Sequence, residues 1–198
     1  MLVEDDKITF RVVTIGDSSV GKTCIINRFI NNKFQADQQN TVGAAMESFN
    51  EERNGKKIEI QIWDTAGQEQ YKSLGAVYYR GAAAVIFVFD LSNYQSFKNL
   101  DEWLNSFQQA GSDKASFFLV GNKSDLDIEV PEKDINDWAN EHNCHYFSTS
   151  AKTGENINKL YEKIVDVLFE SSIQELPEVQ NILRTETTTE HKEKKSCC

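Results

Sequence analysis

Apolar runs and amphipathic stretches alternate along most of this chain. Residues 7–15, KITFRVVTI, read as a strand, and residues 22–30, KTCIINRFI, as the helix that follows it. In NEERNGKKIEIQIW (residues 50–63), Asn54-Gly55 separates polar from alternating residues, a strong hairpin signal. AAAVIFVFD (82–90) and SFFLVG (116–121) are continuous apolar runs, as expected of central strands covered on both faces. The stretches Phe97–Phe107, Pro131–Asn140 and Ile157–Phe169 are amphipathic and fit the covering helices. This order predicts an α/β domain built on a mostly parallel sheet, with no internal repeat.

The pattern stops after about Ser172. From there to the end no aromatic residue occurs, and TETTTEHKEKKSCC (185–198) is almost wholly polar. Such a segment buries too little apolar surface to offset its ordering entropy, so residues 1–171 are expected to form the domain and 172–198 a flexible tail. Alternatively, Ile173, Leu176, Val179, Ile182 and Leu183 dock as a short amphipathic segment, although Pro177 interrupts them.

Composition narrows the function. Of 198 residues 39% are hydrophobic, enough for a sizeable core, and the formal net charge is −10. That charge removes the basic footprint of a nucleic-acid binder and sets the domain surface against anionic lipid. The opening MLVEDD is acidic, unlike a secretory signal, and the most apolar run is too short to span a bilayer. Cys24, Cys144, Cys197 and Cys198 show neither metal-site spacing nor a disulfide framework, which points to a reducing, cytosolic setting.

GDSSVGKT (Gly16–Thr23) matches the phosphate-loop pattern G-x-x-x-x-G-K-[ST], with a strand before it and a helix after. Gly16 and Gly21 let successive N–H groups, from Ser18, Ser19 and Val20 to Cys24, converge on phosphate oxygens. Lys22 brings a point charge to the β- and γ-phosphates, and the Thr23 hydroxyl can coordinate Mg²⁺. The new helix directs its positive dipole end at the same place. The plain alternative is a turn with a surface lysine.

A cradle does not choose a base. NKSD (Asn122–Asp125) follows one strand and TSAK (Thr149–Lys152) follows CHYF, so both fall on the rim of a parallel sheet where ligands bind. Guanine offers N1–H and a 2-amino group on one edge, and the Asp125 carboxylate can accept from both. Adenine would leave that charge unpaired, a mismatch that can reject the wrong ligand by ~10⁴-fold. By itself NKSD reads as a solvated loop; the phosphate loop upstream changes that.

With these motifs in order, the chain resembles a Ras-superfamily small GTPase over roughly Lys7 to Phe169. The resemblance implies a P-loop domain: a doubly wound, six-stranded, mostly parallel sheet with one antiparallel hairpin strand and five helices. It implies GTP/GDP and Mg²⁺ as ligands, Phe34 packed edge-on against guanine, Lys123 over the base, and Ser150, Ala151 and Lys152 steadying its O6. Sequence alone would make Phe34 a core residue at a helix end.

WDTAGQ (Trp63–Gln68) follows the second hairpin strand. Asp64 can hold magnesium through water, and the Gly67 N–H lies where a γ-phosphate would contact it. Gln68 can orient the attacking water but is no strong base. Phosphoryl transfer depends on placement and charge neutralisation, so slow intrinsic hydrolysis, accelerated by an arginine in trans, is expected. Thr41 in NTVGAAM matches the family's other switch, which binds Mg²⁺ only with γ-phosphate present; otherwise it is an ordinary loop threonine. Loss of that phosphate releases Thr41 and Gly67 together.

YYRGA (Tyr78–Ala82), IQIWDTAG and the terminal Cys-Cys are similar to the Rab branch, and TVGAA with YKSLGAVYYRGA to its early-endosomal subgroup. That likeness implies effectors, an exchange factor, a GTPase-activating protein with an arginine finger, and escort protein or GDI, around a monomeric switch on the cytoplasmic face of an intracellular membrane, with a cytosolic GDP-bound pool. Strand alternation places Trp63 with Lys57, Glu59 and Gln61, away from Ile58, Ile60 and Ile62, which favours a partner-binding anchor over a core residue. The implied effector surface is Val42, Gly43, Met46, Trp63 and Tyr78. Met46 stands where the family has Phe, and Gln70 where it has Arg.

Rab tails ending in two cysteines carry geranylgeranyl groups on both, here Cys197 and Cys198. One chain gives marginal attachment and two give a stable anchor. A tail of roughly 25 residues has a reach of about 25–30 Å. Two rival readings stand beside this one: a GTP-locked membrane scaffold with little hydrolysis, and a P-loop kinase or ATPase, which NKSD disfavours.

Overall fold

The computed structural model describes residues 7–38, 41, 43–67 and 77–174. Strands β1 (Lys7–Ile15), β2 (Ala44–Arg53), β3 (Lys56–Thr65), β4 (Ala84–Asp90), β5 (Ser116–Asn122) and β6 (His145–Ser148) form one sheet in the order β2-β3-β1-β4-β5-β6. Only β2 against β3 is antiparallel. Among the described residues, five helices are α1 (Lys22–Asn31), α2 (Tyr94–Lys98), α3 (Leu100–Gln108), α4 (Glu132–Glu141) and α5 (Ile157–Gln174), and residues 77–79 add a helical turn. The expected doubly wound sheet is present.

The two-residue alternation of the strands sorts the core into two layers. Val12, Ile60, Ile86 and Val120 face α1 and α5, meeting Ile25, Leu160 and Ile164. Val13, Val85, Phe87 and Leu119 face α2, α3 and α4, meeting Phe97, Trp103, Phe107 and Ile135. All seven residues of β4 are buried, because it lies mid-sheet with helices on both faces. Among the described residues no helix is long and apolar enough to cross a membrane.

The hairpin turns at Asn54 (φ 52°) and Gly55 (φ 75°), the two positive angles of a type I′ turn. The amphipathic stretch read as Phe97–Phe107 is two helices. Asn93 caps α2 by accepting from the Gln95 N–H at 3.0 Å, and Asn99 ends α2 and starts α3. Apolar periodicity runs through this junction, so the pattern carries no sign of the break. Helix α5 continues to Gln174, across the boundary drawn between residues 171 and 172; the rest of the tail, with Cys197 and Cys198, lies outside the described residues.

Candidate functional site

At the C-terminal rim of the parallel strands lies a cavity of about 370 Å³, within the usual range for small-molecule sites. Ser18, Ser19, Gly21, Lys22, Thr23 and Cys24 form one wall; Asn122, Lys123, Asp125, Ala151 and Lys152 form another; Phe34, Thr41 and Gly67 close the rim. Gly16, Val20 and Ser150, also expected here, do not line it but hold residues that do. Gln68 and Val42 lie outside the described residues.

The loop from Gly16 to Gly21 is shaped by close approach. A Cβ at Gly16 would run into the Val88 carbonyl, and one at Gly21 into the Asn122 amide. Gly21 also caps α1 at φ 100° with no side-chain hydrogen bond, leaving the first N–H groups of the helix to a ligand. Ser19 holds φ 62°, a left-handed conformation that costs a non-glycine residue about 1 kcal/mol or more. Lys22 is 6% exposed, and its ammonium donates to the Gly16 carbonyl at 2.9 Å and the Asp17 carbonyl at 2.7 Å. Burial pulls its pKa down to about 8, against the opposing pull of Asp64 and Asp17.

Beside the lysine, Asp64 sits at the end of β3, where strand direction carries it to the rim. Its Oδ2 accepts from the Thr23 hydroxyl at 2.6 Å and the Thr41 hydroxyl at 3.2 Å, and the two hydroxyls are 2.8 Å apart. Oδ1 is buried without a hydrogen-bond partner, and burial pushes the carboxyl pKa up. Two hydroxyls and a carboxylate with an unsatisfied oxygen are a hard-oxygen donor set, which fits Mg²⁺ supplemented by water and phosphate. No cluster of three or more His, Cys, Asp or Glu occurs among the described residues, so this is no all-protein metal cage.

The second wall is built from three loops, and Asn122 joins them. Its amide donates to the Val20 carbonyl at 2.8 Å and accepts from the Ala151 N–H at 3.1 Å. Asp125 accepts from the Ser150 hydroxyl at 2.6 Å and pairs with Lys152 at 3.3 Å. Those partners, Ser150 foremost, hold its carboxyl below the usual carboxylate range, so it is an acceptor-only group at neutral pH. Lys123, at φ 67°, pairs with Asp90 at 2.5 Å, which fixes its stem along the wall. Phe34 is 36% exposed and faces the cavity, so the core alternative for it does not hold.

Several contributors escaped the sequence reading, among them Gln35, Ala36 and Gln38 on the cavity wall. Arg28, from the last turn of α1, donates to the carbonyls of Ala151 and Lys152, each at 2.7 Å, and so ties the TSAK loop to the phosphate-loop helix. Leu126, 47% exposed, adds an apolar surface beside Asp125. Neither Arg28 nor Leu126 lies in a motif; Leu126 directly after NKSD was the one available signal.

Away from the cavity, the aromatic and thioether side chains expected to form an effector surface lie together. Met46 lies directly opposite Trp63 in the β2–β3 register, and the Trp63 and Tyr78 rings are 5.5 Å apart. Met46 is 49% exposed. Trp63 is half-buried: alternation put it on the expected face, but that face also packs against the second core layer, and Arg11 lies over the ring at 5.1 Å. Its Nε1–H is buried without a partner.

The Ras family model matches residues 11–170. Ras-related protein Rab-30 of Homo sapiens is 40% identical over 81% of this chain and 80% of its own length. Ras-related protein Rab-13 of Bos taurus is 37% identical over 82% and 81%. Ras-related protein RABE1e of Arabidopsis thaliana is 35% identical over 95% and 91%. GDSSVGKT, NKSD and TSAK around one cavity and this coverage lead to one conclusion: the chain belongs to the Ras family, as a Rab-type small GTPase that hydrolyses GTP.

Proposed function

We propose that the cavity is the GTP/GDP site and that its state controls partner binding at the Met46–Trp63–Tyr78 surface. What supports the reading is that one cavity joins the buried Lys22, beside the uncapped start of α1, to Asp125 at its far end. Lys22 would bring its charge to the β- and γ-phosphate oxygens, and the N–H groups from Ser18 to Cys24 would bind the same phosphates. Asp125 would accept from guanine N1–H and the 2-amino group, held by Ser150 and Lys152. Phe34 and the Lys123 stem would flank the base. The Thr23 and Thr41 hydroxyls would hold Mg²⁺, with Asp64 reaching it through water. When bound, the ion supplies charge neutralisation between the β- and γ-phosphates.

Gln68 would orient the attacking water, so hydrolysis is slow until an activating protein adds an arginine finger. Thr41 and Gly67 report the γ-phosphate, and their release on hydrolysis reshapes both switches. As a Rab-type protein the chain works with effectors, exchange factors, activating proteins and GDI. Residues 1–171 serve as the switch and 172–198 as its tether, prenylated at Cys197 and Cys198 and delivered by escort protein. TVGAA and YKSLGAVYYRGA favour endocytic, early-endosomal traffic.

The test is to identify the nucleotide that co-purifies with the protein and then follow one turnover of labelled GTP with Mg²⁺. Bound guanine nucleotide and slow conversion to GDP are expected. Bound GTP that never turns over would remove Gln68 from the mechanism.

A further inference from the structure

Asp17, the second residue of the phosphate loop, is not among the residues lining the cavity. Its carboxylate instead accepts from Asn99 Nδ2 and Trp103 Nε1, both at 2.7 Å. Trp103 is 2% exposed in the core of α3, and Asn99 is the junction where α2 gives way to α3. Both carboxylate oxygens are thus anchored in the helical layer on one face of the sheet. The same residue's carbonyl accepts from the Lys22 ammonium at 2.7 Å. On its other side Gly67 presses close: a Cβ there would overlap the Asp17 carbonyl and the Lys22 ammonium.

We propose that Asp17 is a positioning residue for nucleotide binding, its side chain clamped by Asn99 and Trp103 so that its peptide holds Lys22 and sets how closely Gly67 can approach. The proposal rests on the cavity being the nucleotide site. The Gly16–Gly21 loop has two glycines and a left-handed Ser19, so its own backbone does not select one conformation. Two hydrogen bonds to an ionised group, one from a buried indole, fix the loop's first turn from outside. Losing them frees the carbonyl that aims the Lys22 ammonium, and with it the surface that Gly67 meets.

The experiment measures dissociation of fluorescently labelled GDP and GTP from the full chain with Mg²⁺. Asp17→Ala removes both hydrogen bonds and is expected to accelerate dissociation about tenfold or more. Asp17→Asn keeps a carbonyl acceptor for Trp103 and is expected to recover most of the loss. Trp103→Phe keeps the buried ring, removes one donor and is expected to accelerate dissociation several-fold, with no additional effect in the Asp17→Ala background. The control is Asp101→Ala, which breaks the same type of bond, Trp138 Nε1 to Asp101 at 2.8 Å, on the same helix but away from the loop. It is expected to lower thermal stability and leave dissociation within twofold of wild type.

A wild-type rate in Asp17→Ala and Trp103→Phe, or equal acceleration in Asp101→Ala, overturns the clamp while leaving the nucleotide site intact. Failure of the wild-type protein to bind either labelled nucleotide overturns the site and the clamp together.

Discussion

Single side chains in this site are positioned by neighbours more than by their own preferences, and that determines what substitutions should do. Gln68→Leu removes the amide proposed to orient water and changes none of the described residues that line the cavity. Single-turnover hydrolysis should fall by at least tenfold, the scale of one lost transition-state contact, with GDP affinity unchanged; equal turnover would take Gln68 out of the chemistry. The cysteines respond to burial. Burial pushes the Cys144 thiol up to about 12 and raises Cys24 as well, so neither is a thiolate at neutral pH. Native alkylation at pH 7.5 followed by mass spectrometry should leave both unmodified until denaturant is added, and rapid native labelling of Cys144 would contradict the packing around it. The motif residues were legible in the sequence because their chemistry is local. Asp17 and Arg28 were not: their partners lie 82 to 124 positions away, and only the fold brings them together.

At the scale of elements, strands were read well because alternation and apolar runs report directly on burial. Helix junctions were not, since apolar periodicity survives the turn at Asn99. Trp63 shows the limit of alternation, which gives the face of a strand but not what covers it. The hairpin offers a test in which sterics and backbone strain separate. A Cβ at Gly55 meets nothing within 4 Å, yet φ is +75°. Gly55→Ala should therefore cost about 1 kcal/mol through backbone strain alone, seen as a lower urea midpoint with guanine-nucleotide binding unaltered. A neutral or stabilising effect would mean that the turn is not held in this form. On the site side, Arg28→Ala removes two bonds from α1 to the TSAK loop. GDP dissociation should rise by about tenfold, one to two kcal/mol of loop anchoring; no change would mean that the contacts of Asn122 and Asp125 hold the loop without Arg28.

For the whole molecule, the sheet order places GDSSVGKT, NKSD, TSAK and Gly67 at one rim, and this arrangement turns separate short sequences into one cavity. The sheet and its two helical layers were foreseeable from strand-helix alternation with buried central runs, whereas the pairing order came from the fold. The acidic chain, of formal net charge −10, gives no electrostatic help at an anionic membrane, so attachment should depend on the lipid groups proposed for the tail. Removing Cys197 and Cys198 should move the protein wholly into the soluble fraction of cells, and persistent membrane association would contradict the tether. The central claim is that this cavity reads guanine through Asp125. Competition between GDP and xanthosine diphosphate in Asp125→Asn tests it most directly, because a 2-oxo group takes the place of the amino donor. The account predicts that the variant prefers the xanthine nucleotide, whereas retained preference for guanine would contradict the assignment of Asp125 and of the base wall built around it.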